Sequence, residues 1–177
     1  GKDGFANLLD VSGWSPGASG TIGRFIQNGV TSENAIVLGT GPTGVSEPVW
    51  QMVSQDIPYP SQTPQDDGYD GDGGWDYTSE VGKLDPQKSY RYMVWAAQDA
   101  GSSGFIYLGC APGLVDDIGG GRNDNPYFWA FSLPEKNKWY LIVGVVHGAS
   151  YTGAQSGVSG VYDPATGQRV SGGVDYR

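Results

Sequence analysis

Glycine and proline interrupt this chain too often for helices to carry the fold. Thirty glycines and eleven prolines stand in 177 residues, and both disfavour helix interiors. Aromatic residues make up 12% of the chain; they favour strands, so short strands joined by many turns are expected. Strand-like segments stand at 5–9, 21–27, 34–38, 49–57, 89–97, 104–110, 125–131, 138–147, 158–162 and 170–176. Turn signals separate them, among them Asn28-Gly29, Asp85-Pro86 and Asp163–Gly167. Strands at this spacing, without a convincing amphipathic helix, predict an all-β chain: a two-sheet antiparallel β-sandwich of the jelly-roll type. A chain of this length fills one domain with a sizeable core, so residues 5–177 are expected to form a single domain. Residues 1–4 read as a linker or tail remnant, and they do not have the pattern of a signal peptide.

Charge narrows the partners. The formal net charge is −9 with only ten lysines and arginines, which argues against nucleic acid, since binding it requires a basic face that displaces counterions. The same balance argues against an anionic membrane surface, and no apolar run approaches the ~20 residues of a membrane span. The single cysteine, Cys110, excludes an internal disulfide and sits in an apolar strand, where a buried, inert thiol is expected. An acidic, lysine-poor, disulfide-free β-protein fits an extracellular or virion-surface location.

The densest functional signal is the window Gln65–Tyr77, QDDGYDGDGGWDY. Its carboxylates repel one another unless a cation or a turn's N–H groups offset the repulsion. Asp66, Asp67, Asp70 and Asp72 offer hard oxygens of the kind calcium prefers, and a structural calcium is one reading of this loop. A solvated acidic loop with Asx turns is the other. The window lacks the downstream glutamate and the helices of an EF-hand. Asn7 and Asp175, near the two termini, offer an alternative place for a structural ion.

Catalytic constellations are sparse. His147 is the only histidine; it ends an apolar strand, where a hydrogen-bonded structural imidazole or a ligand-contacting rim position both fit. No serine occupies a G-x-S-x-G elbow, and one histidine with one cysteine cannot build a zinc site. Gly39–Gly44 matches G-x-G-x-x-G literally. That motif works by opening a helix onto a pyrophosphate, whereas here prolines bracket the next residues and a strand follows. Among fifteen aspartates and four glutamates a glycosidase pair is conceivable, but most lie in turns that aspartate commonly forms.

Aromatic residues carry the ligand argument. Sugar rings present apolar C–H faces that stack on Trp and Tyr, while their hydroxyls seek Asp, Asn, Arg or His. Tyr69 and Trp75 stand in the acidic loop; Tyr127 and Trp129 fall on one strand face beside the Arg122–Asn125 turn. Trp75 reads as a ligand platform or as a plug over the sandwich end, and Trp129 as platform or core. Trp50, Trp95 and Trp139 lie within apolar strands and read as core; Trp14 fits either role.

Several stretches resemble galactose-binding-like jelly-roll modules: Asn7–Leu9 with Gly13-Trp14, the Asp72–Trp75 turn, 85–95, Tyr107–Cys110, and 125–129 with 138–144. Such modules are similar to family 4/9/22 carbohydrate-binding modules and to domains of phage tail fibres and secreted polysaccharide-degrading enzymes. The resemblance implies a non-catalytic role in recognising a polysaccharide or cell-surface glycan, often with a structural calcium. Ligand contacts would then come from Tyr69, Trp75, Arg122, Asn125, Tyr127, Trp129 and His147, with Asp66, Asp67, Asp70 and Asp72 as metal ligands. Two alternatives stand beside it. One is a polysaccharide lyase or glycoside hydrolase on the same scaffold; the other is an assembly domain of a viral tail fibre, homotrimeric if so.

Overall fold

A computed structural model describes residues 8–53, 57–58, 69–70, 73–77, 84–102 and 104–177. The chain is all-β, built from several antiparallel sheets. It divides into two compact units, Gly1–Val81 and Gly82–Arg177.

In the first unit, β1 (Phe25–Asn28) leads through a single 3-10 turn, Thr31–Glu33, into β2 (Asn34–Thr40), which forms a hairpin with β3 (Ser46–Met52). β4 (Ile57–Pro58) pairs with β5 (Tyr69–Asp70), and β6 (Gly74–Tyr77) pairs with β1. The G-x-G-x-x-G segment forms the end of the β2–β3 hairpin: Gly41 N–H bonds to Val45 O, and Gly44 takes a φ of 81°. No helix follows it. Pro48 sits inside β3, opposite Leu38. The two-stranded sheet leaves β3 an open edge, where a missing N–H costs no ladder bond.

Asn28-Gly29 carries a hairpin signal, but no hairpin forms there: the chain bends at Gly29, φ 64°, and the flanking strands are not partners. β1 pairs with the distant β6 because Asn34 intervenes. Asn34 is 1% exposed, and its amide donates to Asn28 O (2.7 Å) and Val30 O (3.0 Å). Its carbonyl accepts from Trp50 Nε1 (3.0 Å) and Gly74 N (2.7 Å). One buried side chain thereby ties the turn, β3 and β6 together with its donors and acceptor all engaged. Next to it, the Glu33 carboxylate accepts from Val30 N–H at 2.9 Å, closing the 3-10 turn.

The second unit is built on a four-stranded sheet ordered β14 (Arg169–Gly172), β13 (Gly160–Tyr162), β12 (Trp139–Val146), β7 (Tyr90–Ala97). β12 is the apolar central strand that its sequence predicts. The strand period of two gives the sheet two faces. Tyr140 and Ile142 of β12, Val94 and Ala96 of β7, and Val161 of β13 point inward. There they pack with Trp129, Leu133, Ile106 and Leu108, so the sheet lies on the ribbon of β8 (Ile106–Gly109) and β11 (Tyr127–Phe131). Gly144 belongs to this inner face, and any side chain there would fall inside the Phe128 ring. A short hairpin, β9 (Val115–Asp116) with β10 (Arg122–Asn123), occupies the Gly/Asp-rich segment 114–124.

The predicted strand at 170–176 ends at Gly172. Beyond it Tyr176 makes isolated bridges to Val146 and Asp117. The predicted strand at 5–9 is not formed at Leu8 and Leu9; Phe5, Ala6 and Asn7 lie outside the described residues.

Candidate functional site

The outward face of the four-stranded sheet is the site that stands out. Arg91, Met93 and Trp95 project from β7 on the side opposite the core, and register places Trp95 beside Leu141 and Met93 beside Val143 of β12. Tyr162 continues the Trp95–Leu141 row on β13. With Val158, Asp163, Pro164 and Gly167 these side chains line an open groove of about 470 Å³, within the usual size of small-molecule sites. Met93 is 55% exposed and Trp95 41% exposed. A methionine and a tryptophan left in solvent on a sheet floor form an apolar surface without a described cover.

Polar groups stand at the two ends. Arg91 is exposed at one, with no hydrogen bond or ion pair to any described residue. At the other, the Asp163 carboxylate accepts from Lys138 Nζ at 2.8 Å and from Ala165 N–H at 2.8 Å. Lys138 also reaches Glu135 at 3.0 Å. Hydrogen bonds to Asp163 and then Glu135 raise the Lys138 pKa, and the bond from Lys138 lowers that of Asp163. Both partners are therefore charged at neutral pH. Within the groove wall Tyr162 donates its hydroxyl to Val158 O at 2.6 Å, which fixes the ring. The arrangement can stack a flat apolar ring and offer charged hydrogen-bonding groups at its edges. The lining holds one carboxylate, Asp163, already ion-paired, and no histidine.

The residues singled out from the sequence do not converge on one place. Trp75 stands at the heart of the first unit, half-buried, its ring 4.9 Å from Phe25 at 88° and 6.4 Å from Trp14. Trp14, Phe25, Trp50, Trp75 and Tyr77 form one cluster of edge-on and tilted rings around the 1%-exposed Phe25. Such pairs add about 0.5–1.5 kcal/mol each beyond burial, so Trp75 has a structural occupation here.

Trp129 is 2% exposed and donates Nε1–H to Ser171 Oγ at 2.9 Å. Tyr127 is 39% exposed on the other face. A register shift between the two, a β-bulge, breaks the alternation that placed them together. Tyr127 joins Tyr107 (5.0 Å between rings), and Phe105 lies 6.5 Å from Tyr107, so three exposed rings follow one another; the exposed Phe131, opposite Ile106, stands 6.2 Å from Phe105 and 5.7 Å from Trp129. Arg122 is ion-paired with Asp116 at 3.0 Å and donates to Gly113 O, while Asn125 N–H bonds to Asn123 Oδ1 at 2.7 Å.

His147 is held by protein groups on two sides. Its Nε2 stands 2.9 Å from Asp175 Oδ2, and its ring stacks on Tyr151 at 3.8 Å, 6° from parallel. Asp175, 1% exposed, also accepts from Ser156 N–H (2.7 Å) and the Ser159 hydroxyl (2.5 Å). Burial pushes its pKa up, but the hydrogen bonds from Ser156, Ser159 and His147 together outweigh burial and leave it at about 2. Both carboxylate oxygens are thus engaged by protein donors, which leaves little for a cation there. The serine in this cluster bonds the aspartate and not the histidine, so it is no nucleophilic triad. Cys110 is pushed up to about 12 by burial, so its thiol is unreactive at neutral pH.

Asp66, Asp67 and Asp72 lie outside the described residues, and Tyr69 and Asp70 are described by their backbone in β5 alone. Among the described residues no group of three or more His, Cys, Asp or Glu is arranged to hold a metal ion. None of their helices is long and apolar enough to cross a membrane.

Trp95 is the residue that the apolar reading of 89–97 assigned to the core. The signal against that was available: Arg91, two alternations away, shares its face, and a strand face carrying an arginine commonly points outward.

No family model matches the sequence, and neither the curated proteins nor the solved structures contain a match to it.

Proposed function

We propose that this protein is a non-catalytic carbohydrate-binding or receptor-binding module of the β-sandwich, jelly-roll kind, acting outside the cell or on a virion surface. The groove over the four-stranded sheet is its binding site. One observation carries the reading: Trp95 and Met93 lie exposed on a sheet floor between Arg91, which has no partner among the described residues, and an ion-paired carboxylate. A pyranose ring laid on Trp95 would bury its apolar face, and its hydroxyls would reach the Asp163–Lys138 pair. In this reading the acidic loop with Asp66, Asp67, Asp70 and Asp72 holds a structural calcium.

A broad glycan array with the wild-type chain and Trp95→Ala is the test. Base–aromatic stacking in nucleic-acid sites contributes about 1–3 kcal/mol per ring, and sugar stacking of that order predicts at least a fivefold loss of affinity with unchanged unfolding. A clean negative on the array, or full binding by Trp95→Ala, removes the groove as the site. Sugar release from a polysaccharide panel would favour the lyase or hydrolase reading instead.

The exposed rings of Phe105, Tyr107 and Tyr127 favour a second reading, an assembly domain whose copies cover them. Light scattering over a range of concentrations separates the two: a stable trimer that Tyr127→Ser dissociates belongs to the second.

A further inference from the structure

The groove is electrically polar along its length, and this bears on which sugars it takes; the inference rests on the reading of the groove as a glycan site. Across the strands it has successive rows: Arg91 with Val145, then Met93 with Val143 and Gly160, then Trp95 with Leu141 and Tyr162. At 3.3–3.4 Å per residue, Arg91 and Trp95 stand ~13 Å apart along β7, a length that accommodates more than one pyranose ring. Arg91 contributes an exposed guanidinium with no described partner. Beyond the Trp95 row, Lys138 lies between two carboxylates, Asp163 and Glu135. That end carries two negative charges against one positive.

We infer that the groove takes an acidic heteropolysaccharide in which a carboxylated sugar alternates with neutral ones. The uronate carboxylate pairs with Arg91, and a neutral ring lies on Trp95. An arginine's planar fork matches a carboxylate with two parallel N–H···O bonds, and over an apolar floor such a pair is less screened than on open surface. A polymer of contiguous uronates would bring a carboxylate up to Asp163 and Glu135, where like charge opposes it. The polarity also fixes the direction in which the chain lies.

The experiment uses the full chain and titrates hyaluronan and unsulfated chondroitin oligosaccharides, each against its carboxyl-reduced form, with polygalacturonate and a broad neutral glycan array alongside. The native forms should bind about three- to tenfold more tightly than the reduced ones, the range expected of a partly desolvated charge pair. That preference should shrink with added salt. Arg91→Gln should bring the native-to-reduced ratio close to one, and Arg91→Lys should keep part of it. Polygalacturonate should bind more weakly than the alternating polymers. Equal binding of native and reduced forms, or a preference that survives Arg91→Gln, overturns the inference. If neutral glycans bind through Trp95 but no carboxylated sugar is preferred, only this inference falls. If nothing binds, the glycan reading falls with it.

Discussion

Removing the Asp175 carboxylate should unlatch the C-terminal segment of the second unit. Three donors converge on it: Ser156 N–H, the Ser159 hydroxyl and His147 Nε2. Gln155 brackets the same residue from the backbone side, accepting from Asp175 N–H at 2.6 Å and donating to its carbonyl at 3.3 Å. Tyr176 follows at once, and its N–H and carbonyl join Val145 and His147. Asp175→Ala leaves the buried Ser159 hydroxyl and the part-buried Ser156 N–H and His147 Nε2 without their acceptor, and removing one partner from a buried charged network costs about 3–5 kcal/mol. Asp175→Asn keeps an oxygen but loses the charge and should cost about half as much.

The pH dependence is a sharper signature. Despite burial, the hydrogen bonds from Ser156, Ser159 and His147 hold the folded-state pKa at about 2, below the ordinary 3.8, a difference worth about 2 kcal/mol. Because the folded pKa is the lower one, this stability is fully present above about pH 4–5. It is lost as pH falls through 4 toward 2, where the unfolded chain binds the proton more readily. Urea unfolding followed by circular dichroism at a series of pH values between 2 and 7 measures both effects. A loss below about 1 kcal/mol in Asp175→Ala at pH 7 would refute the reasoning. So would an acid slope in Asp175→Asn as steep as that of the wild type.

Asn34→Ala should destabilise the first unit by about 3 kcal/mol or more. It orphans Trp50 Nε1–H and the Gly74 N–H in a site 1% exposed and takes one donor each from Asn28 O and Val30 O, the latter still bonded by Glu33 N–H. Tryptophan fluorescence during urea unfolding reads this directly, since Trp14, Trp50 and Trp75 share the cluster beside it; an unchanged midpoint would show that the four bonds contribute little. Calcium held by Asp66, Asp67, Asp70 and Asp72 should stabilise the folded chain by mass action, so EDTA lowers Tm and added calcium restores it. Elemental analysis that finds no metal, with no EDTA shift, removes the calcium from the proposal.

How far the site was legible from sequence is clearest on β7 and β11. On β7 Arg91, Met93 and Trp95 take the face opposite Tyr92, Val94 and Ala96, but the run was apolar enough that Trp95 read as core. Whether a second layer covers a face depends on what packs there, and that is a property of other segments. The β8–β11 ribbon covers the inner face; the described residues leave the outer one open at Trp95. On β11 a strict period of two put Tyr127 with Trp129, and a single bulge reversed the outcome. Nothing in 125–131 signals that bulge, because its register is set by the partner strand.

By itself the sequence determined the class. Glycine and proline density excluded helices, β-branched and aromatic runs marked most strands, and turn chemistry located the chain reversals, since all of these act within a few residues. It also identified the G-x-G-x-x-G segment as a loop. The tertiary structure alone decided the pairings. Asn28-Gly29 carries a hairpin signal, yet β1 finds β6 because one buried asparagine satisfies partners up to 40 residues away. The candidate site is of the same kind: Trp95, Tyr162 and Asp163 become one surface through the register of β7, β12 and β13, which long-range hydrogen bonding fixes and local sequence does not encode.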